Sequence, residues 1–356
     1  MSLTPLSKPL FDQKRRIMIK YVFKRLLYMV IVFFLISFLV YCLFGLVPND
    51  PAALEVEPLR DQLDPIAFEQ VYQEARARMG LDDPLGIRYL RWLGLYPDVD
   101  SSVPSGVLQG NLGWSNIFKQ DIIDVIRDPM KNTVRLNLMS TLITLMITIP
   151  IGILAAVKKN TAFDQSVQVV TIVGHSLPVY IIGLVCIYIF SVKLRWLPVG
   201  GMKTAGENLT GIAEMLDRAW HYILPLIVVV AANLGSMTRY VRAAMIDVLS
   251  MDYIRTARAK GLREKVVIYS HAWRNALLPV ITQIISWFLK LFSGSVVVEN
   301  TFSFNGMGAL NVYALNSLDY ELAMAIQLFF TMVSLLGLLL CDLAYGIVDP
   351  RVRVNK

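Results

Sequence analysis

Leu26 to Val47 reads LLYMVIVFFLISFLVYCLFGLV, 22 residues without a charged side chain. As a helix rising about 1.5 Å per residue it spans about 33 Å, enough to cross a hydrocarbon core of roughly 30 Å. A helix also satisfies its own backbone hydrogen bonds, which lipid cannot do for it. Lys14, Arg15, Arg16, Lys20, Lys24 and Arg25 precede the run, and Pro48-Asn49-Asp50-Pro51 follows it. A cleaved signal has a shorter apolar core and a small-residue cleavage site. We therefore read 26–47 as a retained first membrane helix and 1–25 as a basic cytoplasmic arm.

Working outward, five further apolar runs are candidate spans: about Leu136–Val157, Ser166–Val192 with an interruption at Pro178, Tyr222–Ile246, Leu277–Val298 and Leu322–Val348. The expected fold is all-α, a polytopic membrane protein of about six transmembrane helices. Helices two to six form a core over 136–348, and 349–356 is a short tail. Composition agrees. Of 356 residues, 55% are hydrophobic and only 17% charged, with mean hydropathy +0.54; soluble domains carry about 25% charged residues. The net charge of +7 does not indicate nucleic-acid binding, because the charges are confined to particular segments.

Lys and Arg in the connecting segments set the orientation. With the N-terminus in the cytoplasm, the arm, the Lys158-Lys159 turn, the loop from Arg239 to Arg274 and the tail with Arg351, Arg353 and Lys356 share that side. The loop 299–321 has no Lys or Arg and falls outside, as does the acidic segment 48–135. Its length, its amphipathic stretch near Phe68–Met79 and its Pro and Gly breaks predict a small extracytoplasmic subdomain between helices one and two.

Cys42, Cys186 and Cys341 lie far apart in apolar runs, without disulfide-framework or zinc spacing. No GxxxxGK[ST] loop occurs, so the chain lacks the phosphate cradle of P-loop ATPases. No HExxH or GxSxG occurs either. His175 and Ser176 are neighbours, but adjacent helical side chains point about 100° apart, which argues against an intramembrane hydrolase. Ion-coupled carriers usually place charges at bilayer depth. Lys290 is the clear case here, a candidate buried-charge or translocation-path residue with Asp342 as a possible partner. Support for a stand-alone carrier or channel is thus one lysine. Pro178 predicts a kink in helix three, and Gly294 predicts close helix approach in helix five.

The loop 247–276 is the informative segment. Asp252 to Lys260 favours helix, and Gly261 is placed to end it. Tyr253, Ala257 and Gly261 are spaced by four and share a face that becomes small toward its end. Arg255, Arg258 and Lys260 flank it. Two readings stand on spacing alone: a basic loop held on anionic headgroups, or a coupling helix that fits a groove on a cytoplasmic ATPase.

This segment, DYIRTARAKGL followed by RNALLPV, resembles the conserved cytoplasmic loop of the oligopeptide/dipeptide/nickel permease family of ABC importers. Ala257 and Gly261 match the broader motif, and Arg255 stands where an acid is common. Further resemblances follow in order along the chain: Leu46-Val47-Pro48-Asn49-Asp50-Pro51-Ala52; Met79 to Leu85 with Arg88-Tyr89-Leu90; Gly110 to Ser115, with Asn111 for the usual Asp; Trp196 to Gly201; Val296 to Glu299 with Phe302-Ser303 and Gly306-Met307-Gly308, Asn305 standing for the usual Pro; and Asp349 to Arg353. Lys290 departs from the family's small or apolar residue, and residues around Asp98–Val107 lengthen the outer segment.

The resemblance implies a type I importer permease fold and a non-catalytic subunit. Its implied partners are a second homologous permease, two P-loop ATPase subunits, an extracytoplasmic substrate-binding protein and the lipid bilayer of a bacterial inner membrane. ATP and Mg would be bound by the ATPase subunits, with no cofactor in this chain. Peptides are the implied cargo, with nickel or another small solute as the alternative. Tyr253, Arg255, Thr256, Ala257, Arg258, Gly261 and Leu262 are the implied ATPase contact.

Overall fold

In the computed structural model, residues 8–47, 50–99 and 103–348 are described, with side chains excepted at 8–21, 289 and 342–348. Pro48-Asn49, the tail at 349–356, most of the basic arm's side chains and the proposed Asp342 partner of Lys290 therefore lie outside the described residues. Most of the described residues are helical. Helices α1 (Lys8–Gly45), α2 (Pro51–Val56), α3 (Pro65–Arg78) and α4 (Leu85–Leu93) precede a short antiparallel pair, β1 (Trp114–Ser115) and β2 (Gln120–Asp121). Then follow α5 (Ile122–Val157), α6 (Ala162–Ser176), α7 (Val179–Cys186), α8 (Ile212–Leu249), α9 (Asp252–Ala259), α10 (Glu264–Val266), α11 (Arg274–Leu289), α12 (Val296–Thr301), α13 (Met307–Asn316) and α14 (Tyr320–Val348). Wider-wound π segments extend α7 through Lys193 and join α10 to α11.

Two compact units form, one from residues through 127 with 311–335, the other from 128–310 with 336 onward. In the first unit the outer segment folds from its own helix signals. Asp50 and Asp64 stand as N-caps before Pro51 and Pro65, each accepting from backbone N–H groups of the first turn. Gly94, at φ +83°, ends α4 in the left-handed conformation. Tyr89 joins α4 to α1: its hydroxyl meets Ser37 Oγ at 2.8 Å and donates to the Phe34 carbonyl at 3.1 Å. Ser115 donates to Asp319 at 2.5 Å, and Asp319 in turn accepts from Leu322 N–H at the start of α14. The expectation of a folded segment after helix one is thus met by helices.

Asp50 also ties α2 to α3. It accepts from Tyr72 at 2.7 Å and from Arg76. Burial raises its pKa, but the Tyr72 hydroxyl, the Ala52 N–H and Arg76 together hold it below the ordinary 3.8. The ionised form is therefore favoured in the folded state. That contribution is present above pH 3.8 and is lost as pH falls through the lower folded value. We expect limited proteolysis between α2 and α3 to accelerate below about pH 4, with the onset at higher pH in Tyr72→Phe. An unchanged onset in that variant would show that Asp50 does not set it.

Among the described residues, four helices are long and apolar enough to cross a membrane: Val22–Gly45, Ile122–Val157, Ile212–Leu249 and Tyr320–Cys341. A fifth crossing arises only if Ala162–Ser176 and Val179–Lys193 count as one broken span, bent by 97°. The simple kink expected at Pro178 is a full break. Proline disfavours helical backbone in the residue before it, and Leu177 is extended (φ −78°, ψ 129°). The apolar run Leu277–Val298 is also not one helix. α11 stops at Leu289, residues 290–295 are irregular, and α12 begins at Val296. Hydropathy cannot register this interruption, because the residues around Ser293-Gly294-Ser295 remain mostly apolar or small.

Within the second unit, α8 is the element against which its neighbours are laid. A Cβ on Gly235 would lie 2.6 Å from the Thr171 carbonyl of α6, and one on Gly152 of α5 would lie 2.8 Å from Val241. Only glycine permits these approaches. Met237, Val241 and Met245 of α8 share a buried core with Ile254, Ala257, Val267, Ala272, Ala276 and Val280.

Candidate functional site: a cytoplasmic loop and a broken helical hairpin

The loop after α8 is ordered by local chemistry. Ser250 caps α8, Met251 is extended, and α9 starts at once. At the end of α9, Gly261 N–H donates to the Arg258 carbonyl at 2.9 Å and Leu262 N–H reaches the Ala257 carbonyl at 3.4 Å. This is the paired closure of a Schellman motif, and it places Gly261 at φ +76°. Arg258 then clamps the turn, donating to both Glu264 oxygens at 3.2 and 2.7 Å. That guanidinium holds the Glu264 carboxyl below the usual range. Both side chains are half exposed, so the clamp shapes the turn more than it stabilises the protein.

α9 has two faces. Ile254, fully buried, and Ala257, 6% exposed, anchor it in the core described above. Tyr253, Arg255, Thr256, Arg258, Gly261 and Leu262 are exposed. Four-residue spacing puts Ala257 on the presented face with Tyr253 and Gly261; the structure turns Ala257 inward. The reason is Ile254, whose burial rotates α9 so that positions 254 and 257, three apart, point down. Ile254 is not singled out by sequence, because one apolar side chain in a short polar helix sets no periodicity. The presented surface is thus Tyr253, Arg255, Thr256 and Arg258, followed by the open turn at Gly261, where a Cβ would meet nothing within 4 Å.

A second unlooked-for feature ties α6 to α8. Asp164, with no exposed surface, accepts from Arg242 Nε at 2.5 Å and Nη2 at 2.7 Å. It also accepts from Asn160 N–H at 2.9 Å, while Thr161 caps α6 in front of it. The sequence signal was present as Thr161-Ala-Phe-Asp164, an N-cap with an acid three residues on. Its arginine partner lies 78 residues away.

The third feature is the interrupted hairpin α11–α12–α13. Irregular backbone that is taken out of water needs partners for its polar groups. α5 supplies them. The Asn137 amide donates to the Leu291 and Ser293 carbonyls at 2.9 and 3.2 Å, and Asn132 donates to Asn305 O at 2.9 Å. Thr133 donates to Glu299 Oε1 and accepts from Met307 N–H, both at 2.9 Å. Glu299 is 1% exposed and also accepts from Ala309 N–H at 2.8 Å, so it caps α13 from α12. Gly294, Gly306 and Gly308 crowd around it, and a Cβ on Gly294 would lie 2.2 Å from Gly308 N. The expected close approach at Gly294 is real, but it packs an irregular segment against the first turn of α13 rather than one long helix against another.

Lys290 stands at the carboxyl end of α11, exposed, and not in mid-helix. Ser176 donates to the Ile172 carbonyl at 2.8 Å, and no bond to His175 occurs among the described residues. Among the described residues no group of three or more His, Cys, Asp or Glu is arranged to hold a metal.

Comparison with known proteins accounts for this arrangement. Residues 148–354 match the family described as binding-protein-dependent transport system inner membrane component, and 18–137 match that family's N-terminal region. The chain is 36% identical to the oligopeptide transport system permease protein AppB of Bacillus subtilis, over 94% of this chain and all of that protein. It is 34% identical to the glutathione transport system permease protein GsiC of Escherichia coli K12, over 94% of this chain and 99% of that protein. A multi-pass helical chain, matched along nearly its whole length by permease subunits, belongs to the binding-protein-dependent inner-membrane transport components, the permeases of ABC import systems.

Proposed function

We propose that this permease carries peptides into the cell, paired with a second homologous subunit and driven by two cytoplasmic ATPase subunits that bind ATP and Mg. An extracytoplasmic binding protein delivers the cargo. The relatives' named cargoes, oligopeptide and glutathione, support peptides. Loop charges support an orientation with both termini in the cytoplasm. The exposed face of α9 is the single observation that carries the coupling assignment. A short helix rooted by Ile254 and Ala257 in the core of α8 and α11 presents a polar surface and an open glycine turn. Pressure on that surface moves the core with it. Closure of the ATPase dimer would thereby tilt α8 and its neighbours between inward- and outward-open arrangements.

The test is Gly261→Trp in the assembled complex. Inside the chain a side chain at 261 meets open space, so its bulk acts on a docked partner. We expect ATP-driven peptide uptake by proteoliposomes to fall at least about tenfold, equivalent to 1.4 kcal/mol or more of lost docking. Gly261→Asn controls for the left-handed backbone, which Asn tolerates, and is expected to retain most uptake. Normal uptake in the tryptophan variant at normal protein level would sink the coupling assignment.

A further inference from the structure

Several of the sequence phrases that carry the family resemblance converge on one cleft in the first unit, and the transport reading gives that cleft no task. It holds about 340 Å³ and lies between the end of α1, the start of α14 and the segment 79–113. Pro51, Arg88 and Asn111, from three separate phrases, line it with Tyr41, Trp92 and Glu321. A volume of this order suits one small ligand or a headgroup.

Arg88 and Glu321 are the features that need explaining. Both are half-buried, and both line the cleft beside Tyr41. Neither takes part in an ion pair among the described residues. Arg91, the cleft's other guanidinium, is already committed to Asp83 at 2.6 Å and to the Pro97 carbonyl at 3.1 Å. Among the described residues Glu321 has only a long contact, from Trp114 N–H at 3.4 Å. Removing opposite charges from water without pairing them is costly. Two such charges held apart across a cleft are best compensated by one ligand that carries both signs. The Tyr41 and Trp92 rings, 5.4 Å apart, add faces that attract an ammonium group.

We propose that this cleft binds a zwitterion, its anionic group on Arg88 and its ammonium beside Glu321 and the aromatic wall. Two sources share that chemistry. One is a short peptide with free termini, which rests on the peptide-transport reading. The other is the headgroup of phosphatidylethanolamine, which does not, and which the placement at the ends of two membrane helices favours.

The experiment uses the full chain in nanodiscs of phosphatidylglycerol, whose headgroup lacks the ammonium. Dialanine is titrated in one arm and phosphatidylethanolamine is doped in the other, with tryptophan emission and native mass spectrometry as readouts. We expect saturable binding in at least one arm. Arg88→Gln and Glu321→Gln, which keep a polar group in place, should each weaken it by about 10- to 100-fold, the range for a hydrogen bond to a charged group. Arg88→Lys should restore most of it. Binding of dialanine identifies the peptide source, and binding of the lipid alone identifies the headgroup. Absence of saturable binding in both arms, or binding that both glutamine variants leave unchanged, overturns the proposal. Because binding is read without transport, its failure is distinct from a failure of ATP-driven uptake.

Discussion

Asp164→Ala is expected to cost about 3–5 kcal/mol of stability, the usual penalty for removing one partner of a buried ion pair. The loss comes mainly from Arg242, which would keep its charge, 18% exposed, with no acceptor. The Asn160 N–H would lose its partner as well. A double replacement, Asp164→Leu with Arg242→Met, removes both charges and is expected to recover most of the stability. Thermal inactivation of the purified chain at fixed heating rate reads both effects, since membrane proteins commonly unfold irreversibly. Equal inactivation of wild type and Asp164→Ala would show that the pair contributes nothing. On the proposed coupling reading, the same pair has a second effect. It sits between α6 and the helix that carries α9, so a loosened pair should lower uptake per ATP hydrolysed more than it lowers hydrolysis itself.

Glu299→Ala should be comparably damaging, by about 3 kcal/mol or more, because it strips acceptors from several buried donors at once. Ala309 N–H and the Thr133 hydroxyl lose their partner, and Thr133 is then freed from the position in which it accepts from Met307 N–H. Glu299→Gln is expected to lie between wild type and alanine, since one amide oxygen survives while the NH2 faces donors. Gly306→Ala approaches the same site from the other side, its Cβ falling 2.3 Å from the Glu299 carboxyl carbon. Protease accessibility of the 302–306 turn in membrane vesicles checks all three. A turn as protected in Glu299→Ala as in wild type would rule out the carboxylate as its anchor.

These two sites show where reading the chain in one dimension succeeds and where it stops. Apolar runs and loop charges identified a multi-pass helical protein, because the bilayer imposes length and composition on each span separately. Local signals were equally readable. Thr161 begins α6, Gly261 ends α9, and Asp50 and Asp64 begin the helices of the outer segment. The break at 290–295 was not readable, because what permits it is Asn137, more than 150 residues earlier. Without that amide the exposed carbonyls would favour a continued helix, the form that the hydropathy pattern suggests. Ala257 was misplaced for a related reason. Four-residue spacing shows which side chains share a face, but only the core beneath α9 decides which face points down.

By itself the sequence determined the helical class, the candidate spans, the absence of an ATP-binding loop and the family, all of which are properties of short segments in fixed order. Tertiary structure decided which surface of α9 is presented, why the apolar run 277–298 is broken and which charges are paired. Asp164 with Arg242, Glu299 with Thr133, and Asn137 with two carbonyls are contacts between residues 78 to 166 positions apart. Nothing local specifies such partners. They are selected by the high cost of leaving a buried polar group unpaired, a cost that exists only once the helices have packed.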